Sequence, residues 1–246
     1  GSLHRWTSRY LPTGTDPRHM DADDGASDED VGGPAAEEGA AASREADQDA
    51  AAFDAETLCV TACERCPALA ASRSRIVNGV GPADADLLFV GEGPGKHEDA
   101  EGEPFVGRSG DLLDEQLLDA GLERQQVRIT NCVRCRPPDN RDPTREELDN
   151  CRGYLAREIV AVDPDLVITL GKVPAEHLLG RDVAVTSEAG DIVETAVAGE
   201  SRRLLICVHP AAILYDRSQA ETFERTIALA ADYADDDGGQ SRLGQF

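Results

Sequence analysis

Seven cysteines are spread over 246 residues, and three of them, Cys59, Cys63 and Cys66, fall in the run CVTACERC. Their C-x3-C-x2-C spacing fits three corners of an iron–sulfur cluster with one iron left open for radical chemistry. It fits half of a zinc site equally well, or one pair of a four-cysteine cluster plus a spare thiol. A second set of polar residues stands further along: Glu92 in VGEGPG, Asn131 closing QVRITN, and His209 closing RRLLICVHP. An acid, an amide and an imidazole are groups for hydrogen-bond recognition and proton handling. The bland alternative is that each is a local cap or turn residue.

Elements that could bring the second set together are legible. ADLLFVGEGPG reads as an apolar strand, Asp86–Val90, entering a glycine-rich turn. GDLLDEQLLDAG places Leu112, Leu113, Leu117 and Leu118 on one helical face and stops at Gly121. QVRITN is a second strand. DPTREELDNCRGYLAREIVAV starts with a proline near the first turn and runs helical. PDLVITLG is a third strand, residues 172–179 a short helix, RRLLICVHP a fourth strand, and DRSQAETFERTIALAADYA a closing helix. Strands alternating with helices, with unbroken apolar runs, predict one α/β domain: a central four-stranded parallel sheet flanked by helices. In open parallel sheets ligands bind beyond the carboxyl ends of the strands. Glu92, Asn131 and His209 each follow a strand, so this architecture gathers them on one rim.

Composition bounds the rest. No apolar run approaches the ~20 residues of a membrane span, and no secretory signal is visible. Cysteines in an intracellular chain read as metal ligands or buried thiols before disulfides. The formal net charge is −24, with 48 acids against 24 basic residues, and only Lys96 and Lys172 are lysines. Such a surface suits a salt-loaded cytoplasm and a halophilic source; an acidic protein of a GC-rich genome is the alternative. Residues 20–57 hold thirteen acids and one arginine and are expected to be disordered for most of their length. Residues 1–19 read as a cloning remnant or upstream translation, the globular domain as 58–234, and 235–246 as a flexible tail.

VGEGPGKHEDAEGEPFVGRSGDLLD, ITNCVRCRPPDNRDPTREELDNCRGYL and VHPAAIL, in that order, resemble the motifs of the family-4 uracil-DNA glycosylases over roughly residues 58–234. That family removes uracil from DNA by hydrolysing its N-glycosidic bond and carries a [4Fe–4S] cluster. The resemblance maps the cluster cysteines onto Cys63, Cys66, Cys135 and Cys151, leaving Cys59 as the spare. The radical alternative needs a longer barrel than the fewer than 190 residues after Cys59 allow. Zinc on the same four thiols stays open on spacing alone. Cys132 and Cys207 are expected in strands as buried small hydrophobes.

The resemblance also assigns site residues. Phe105 is the platform that stacks on uracil, with core packing as its alternative. The Asn131 amide pairs with O4 and N3–H, a pattern that cytosine reverses. His209 donates to O2, where charge gathers as the base departs, unless it is simply a satisfied rim histidine. Glu92 is favoured to activate the water, with Asn140 placed near water or phosphate. Gly91, Gly93 and Gly95 line the substrate turn; Gly93 stands where the family usually has alanine. Glu98 sits where the thymine methyl would go, and Asp99 is close to the rim. A related branch carries an extra basic loop and traps uracil on a histidine. RPPDNRDPT lacks that insertion, so turnover is expected.

An acidic protein must still meet a polyanion. Arg124 to Arg157 holds eight arginines and five acids. Arg134, Arg136, Arg141 and Arg145 are expected to face phosphates across the cluster-shaped loop; the alternative is pairing with neighbouring carboxylates. AAILY is a candidate wedge. In the tail, Gln240, Leu243 and Phe246 stand at the spacing of the short peptides that dock on sliding clamps. The expected state is a cytoplasmic, nucleoid-associated monomer acting on single- or double-stranded DNA. A non-catalytic iron–sulfur DNA-binding or clamp-associated protein is the competing function.

Overall fold

The structure, a computed structural model, describes residues 52–241, with side chains described as far as residue 234. Residues 1–19, most of the acidic segment, Leu243 and Phe246 lie outside the described residues.

A short hairpin opens the described chain. β1 (Phe53–Asp54), which lies before the expected domain start at residue 58, pairs antiparallel with β2 (Cys59–Val60). Phe53 stacks on Tyr154 at 6.4 Å between ring centroids. After α1 (Pro67–Ser72) comes the sheet, built from β3 (Leu87–Gly91), β4 (Arg128–Asn131), β5 (Leu166–Leu170), β6 (Ile192–Val197) and β7 (Glu200–Cys207). Its order is β4-β3-β5-β7-β6. The first four are parallel to one another, with Gly91 opposite Asn131 and Leu170 opposite Cys207. That register levels the strand ends that lead to Glu92, Asn131 and His209.

The sheet therefore has five strands where four were expected. β6 runs antiparallel to β7 as an edge strand. Ala198 and Gly199 join them with φ of 52° and 87°, the pair of positive angles that a tight two-residue hairpin requires. β6 alternates exposed and inward residues with only Val197 buried, so it lacks the apolar run that marks its neighbours. The far edge is capped by a lone antiparallel bridge between Val80 and Ile129.

Both faces of the parallel strands are covered. Leu87, Phe89, Ile129, Leu166 and Ile168 pack with Leu113 and Leu117 of α3 (Arg108–Asp119) and with Phe223 and Ile227 of α8 (Ala220–Ser241). Leu88, Val90, Val167 and Leu204 pack on the other side. There they meet Leu155 and Ile159 of α4 (Arg145–Val162) and Leu178 of α5 (Lys172–Leu179). Odd and even residues of each strand divide between two cores. Leu118 is a correction: it is 69% exposed, because α3 turns only Leu113 and Leu117 fully inward. α4 begins at Arg145 with Thr144 as N-cap, Thr144 and Glu147 exchanging reciprocal hydrogen bonds; Pro143 precedes the cap. Cys132 lies one residue past β4 and Cys207 ends β7, both fully buried. α8 runs on through Ser241, past residue 234 where a linker was expected.

Candidate active site and cysteine set

Beyond the carboxyl ends of the parallel strands lies a cavity of ≈ 920 Å³. Glu92, Asn131 and His209 line it together, with Phe105, Asn140, Glu98, Gly93 and Gly95. Close approach at Gly91 makes the arrangement possible. A Cβ there would lie 2.4 Å from Asn131 Oδ1 and 2.4 Å from Phe105 Cε2, so only glycine lets the amide and the ring converge.

Phe105 is held in an uncommon backbone conformation, φ 53°. Gly110 of α3 presses on its carbonyl, since a Cβ there would meet Phe105 O at 1.8 Å. The ring is buried and sits 5.6 Å from the His209 ring at 33°. His209 is the N-cap of α7 (Pro210–Tyr215), and its Nδ1 accepts from the Ala211 N–H at 3.0 Å. That bond fixes the tautomer: in the neutral ring the proton sits on Nε2. Burial pushes His209 down to about 4, so the ring is a neutral Nε2–H donor at physiological pH.

Glu92 is half-buried, and burial, reinforced by the carboxylate of Asp142 and a hydrogen bond to it, raises its pKa to about 7. Asp142 was not foreseen; nothing in the motif marks it as a partner of a residue fifty positions earlier. Glu98 caps α2 (Lys96–Glu101), its Oε2 accepting from Gly95 N–H at 3.0 Å, and burial raises its pKa. Asp99 is a correction: it is buried away from the rim, accepting from Ser74 N–H at 2.8 Å and 3.0 Å. Asn140 stands at the cavity in a turn with φ 54° and accepts from Arg136 Nε at 2.7 Å. Tyr215, 91% exposed, and Leu214 bring the apolar AAILY segment to the same opening.

The arginines divide. Arg134 is 1% exposed and bonds to buried Glu158 at 2.5 Å, so it cannot reach a phosphate. Glu158 also holds Arg128 Nε at 2.7 Å and the Thr130 hydroxyl at 2.8 Å. Arg141 is gripped by Glu147 at 2.7 and 2.8 Å. Arg145, with a side chain 96% exposed and only a 3.8 Å contact to Asp149, stays open to solvent.

Cys63, Cys66, Cys135 and Cys151 face one another closely enough for their charges to interact, and burial raises the pKa of Cys66, Cys135 and Cys151, the last to about 12. Among the described residues no group of three His, Cys, Asp or Glu side chains is drawn together as a metal site. The donor set is nonetheless all thiol, and N–H groups reach three of the four sulfurs: Arg73 at Cys135, Asn150 at Cys66 and the Arg134 backbone at Cys151. Such donors fit sulfurs that carry negative charge as metal ligands.

A cavity at the carboxyl edge of a parallel sheet is walled by an amide, an aromatic ring and a neutral imidazole, groups that can stack on and hydrogen-bond to a flat ligand. A family profile described as the uracil DNA glycosylase superfamily matches residues 78–231, and the chain belongs to that superfamily. The branch follows from its relatives. It is 38% identical to the type-4 uracil-DNA glycosylase of Archaeoglobus fulgidus over 169 residues, 67% of this chain and 84% of that protein. To the type-4 enzyme of Thermotoga maritima it is 39% identical over 160 residues, 65% and 81% of the two chains. The type-5 uracil-DNA glycosylase of Thermus thermophilus is 31% identical over 153 residues, 50% and 69%.

Proposed function

We propose that this chain hydrolyses the N-glycosidic bond of uracil in DNA and releases the base, leaving an abasic site for repair. The observation that carries it is the single cavity in which Asn131, Phe105 and His209 meet. A base turned out of the helix stacks on Phe105. The Asn131 amide donates to O4 and accepts from N3–H, which cytosine cannot match without leaving the amide badly paired. His209 presents Nε2–H to O2. The anion that forms there as the bond breaks is stabilised more than the ground state. The neutral ring can do this, because the Ala211 N–H occupies Nδ1 and leaves the proton on Nε2.

Glu92, in its ionised form, orients the attacking water or steadies the sugar cation; Asn140 borders the same space. Gly91, Gly93 and Gly95 keep the turn close to the base, and Glu98 fixes that turn through Gly95. Tyr215 and Leu214 are placed to occupy the gap that the base leaves. Cys63, Cys66, Cys135 and Cys151 would hold a [4Fe–4S] cluster, which would supply structural support to the loop after β4. Four thiols with N–H donors on three of them support that assignment. Among the described residues no helix is long and apolar enough to cross a membrane; a cytoplasmic, nucleoid-associated monomer is the state that fits a DNA substrate. Gln240, Leu243 and Phe246 form a sliding-clamp peptide, tested by calorimetry of the tail peptide against the clamp beside a Leu243→Ala, Phe246→Ala control.

The deciding experiment is incubation with uracil-containing single- and double-stranded oligonucleotides across potassium chloride concentrations. Abasic product is expected. None at any salt would leave a non-catalytic DNA-binding protein.

A further inference from the structure

One arginine in the cysteine set has no counterpart in the motifs. Arg73 Nη1 donates to Cys135 Sγ at 3.1 Å across 62 positions of chain. Asn150 Nδ2 donates to Cys66 Sγ at 3.4 Å and to the Arg65 carbonyl at 3.4 Å.

Local structure fixes Arg73 in place. It is the C-cap of α1, its N–H bonded to Leu69 O at 2.9 Å. The next two N–H groups, of Ser74 and Arg75, are held by Asp99. Asp99 lies on α2, directly after the turn that carries Glu92. The backbone on either side of the guanidinium is thus anchored, and little freedom remains to be lost when it meets sulfur. Its other nitrogen meets Glu64 at 3.1 Å, but the Glu64 side chain is 81% exposed and that of Arg73 13%. A carboxylate so open to water neutralises little of a sheltered cation. Positive charge is left facing the thiols.

Metal-bound cysteines are thiolates, and several around one centre accumulate negative charge. N–H donors to sulfur offset it and orient the ligand, and a cationic donor does so most. We infer that Arg73 is a positioning residue for the cysteine set: its guanidinium holds Cys135 as a metal ligand, while Asn150 does the same more weakly for Cys66. The inference rests on the four-cysteine assignment above but not on which metal those thiols hold. It also ties the cysteine side of the molecule to the base of α2 through one short segment, residues 73–75.

The test uses the purified, metal-loaded full-length chain. Metal content is measured first, then the rate of metal release to excess EDTA, by visible absorption and elemental analysis. Arg73→Gln should release metal at least about ten-fold faster than the parent. Arg73→Lys, which keeps the charge but loses the planar fork, should fall between the two and serves if the glutamine variant does not fold. Asn150→Ala should speed release by a smaller factor. Glu64→Gln, which removes the ion pair and spares the sulfur contact, should leave the rate unchanged. Equal rates for Arg73→Gln and the parent would overturn the inference. So would a Glu64→Gln rate as fast as that of Arg73→Gln, because the ion pair would then be what matters. Zinc in place of iron in the parent would retract the cluster assignment alone, and the same release rates would still decide the role of Arg73.

Discussion

Two groups of polar residues occupy neighbouring positions on β4 and the segment after it, and they differ in one respect. Arg128, Thr130 and Arg134 converge on Glu158, all of them buried, each bonded to the carboxylate. Asn131, one residue from Thr130, lines the cavity with His209 and Phe105. Among the described residues nothing takes the Asn131 side-chain amide, and the His209 Nδ1 is used while Nε2 is not. The first group is complete without a ligand. The second has hydrogen-bonding capacity to spare. Alternation along the strand sends Thr130 one way and Asn131 the other, so a single motif closes a buried ion-pair cluster on one face and lines the cavity on the other.

Breaking the first group should cost the fold. Glu158→Gln leaves two buried guanidinium groups without their carboxylate, and a loss of about 3–5 kcal/mol in urea-unfolding stability is expected. Excision per folded molecule should change far less. A stable variant would mean that water or other groups take over the pairing, and the contrast with the cavity would fail.

Breaking the second group should do the reverse. His209→Ala is expected to lower the rate of uracil excision by about 10²–10³-fold, the usual cost of one lost donor to a developing oxyanion. Asn131→Ala should also lower it; both should cost far less stability than Glu158→Gln, His209→Ala losing only its cap bond to Ala211, and both should leave binding to undamaged DNA close to the parent. Equal loss of undamaged-DNA binding would assign the two residues to the fold.

This contrast also explains which parts were legible in the sequence. β3, β5 and the second half of β7 are apolar on both faces and stood out as unbroken runs; β4, RITN, was read as a strand from its place in the alternation of strands and helices, and glycine at 91 and 95 marked the turn. The rim residues followed from the strand ends. β6 was missed because it lacks an unbroken apolar run: Glu194 and Thr195 interrupt it, and as an edge strand it buries only Val197. Arg134 was misjudged for a related reason. An arginine beside two others in a basic stretch looks like a phosphate contact, yet its fate depends on Glu158, 24 positions away on another element. Arg73 and Asp142 were invisible on the same ground: each matters through a partner that only the fold brings near.

The cavity group makes a sharper claim through pH. If ionised Glu92 is the acting form, excision should fall as pH drops through about 7 and level off above it, because burial and Asp142 hold a proton on the acid. His209, at about 4, contributes no titration in that window. Asp142→Asn removes the neighbouring charge but not the burial. The limb should therefore move to lower pH while staying above the ordinary glutamate value of 4.5. A pH–rate profile of the two proteins decides it, and a limb that persists in Glu92→Gln would belong to another group.

The smallest expected effect lies where the two regions touch. Gly93, in the substrate turn, replaces the alanine usual in the resembled family. A Cβ at 93 would stand 2.6 Å from Val133 Cγ2, and Val133 is fully buried behind β4. Gly93→Ala should therefore crowd a packed site and cost about 1 kcal/mol, at the low end of overpacking penalties, since a valine methyl has some room to rotate. Val133→Ala alone should also destabilise, by opening a small void. The pair should be better than the sum, because the new methyl fills the space that valine leaves. A double-mutant cycle by thermal or urea unfolding reads this directly as a favourable coupling energy. Additive losses would show that the turn moves away from β4 instead, and excision by Gly93→Ala would then drop with it, since the same turn carries Glu92.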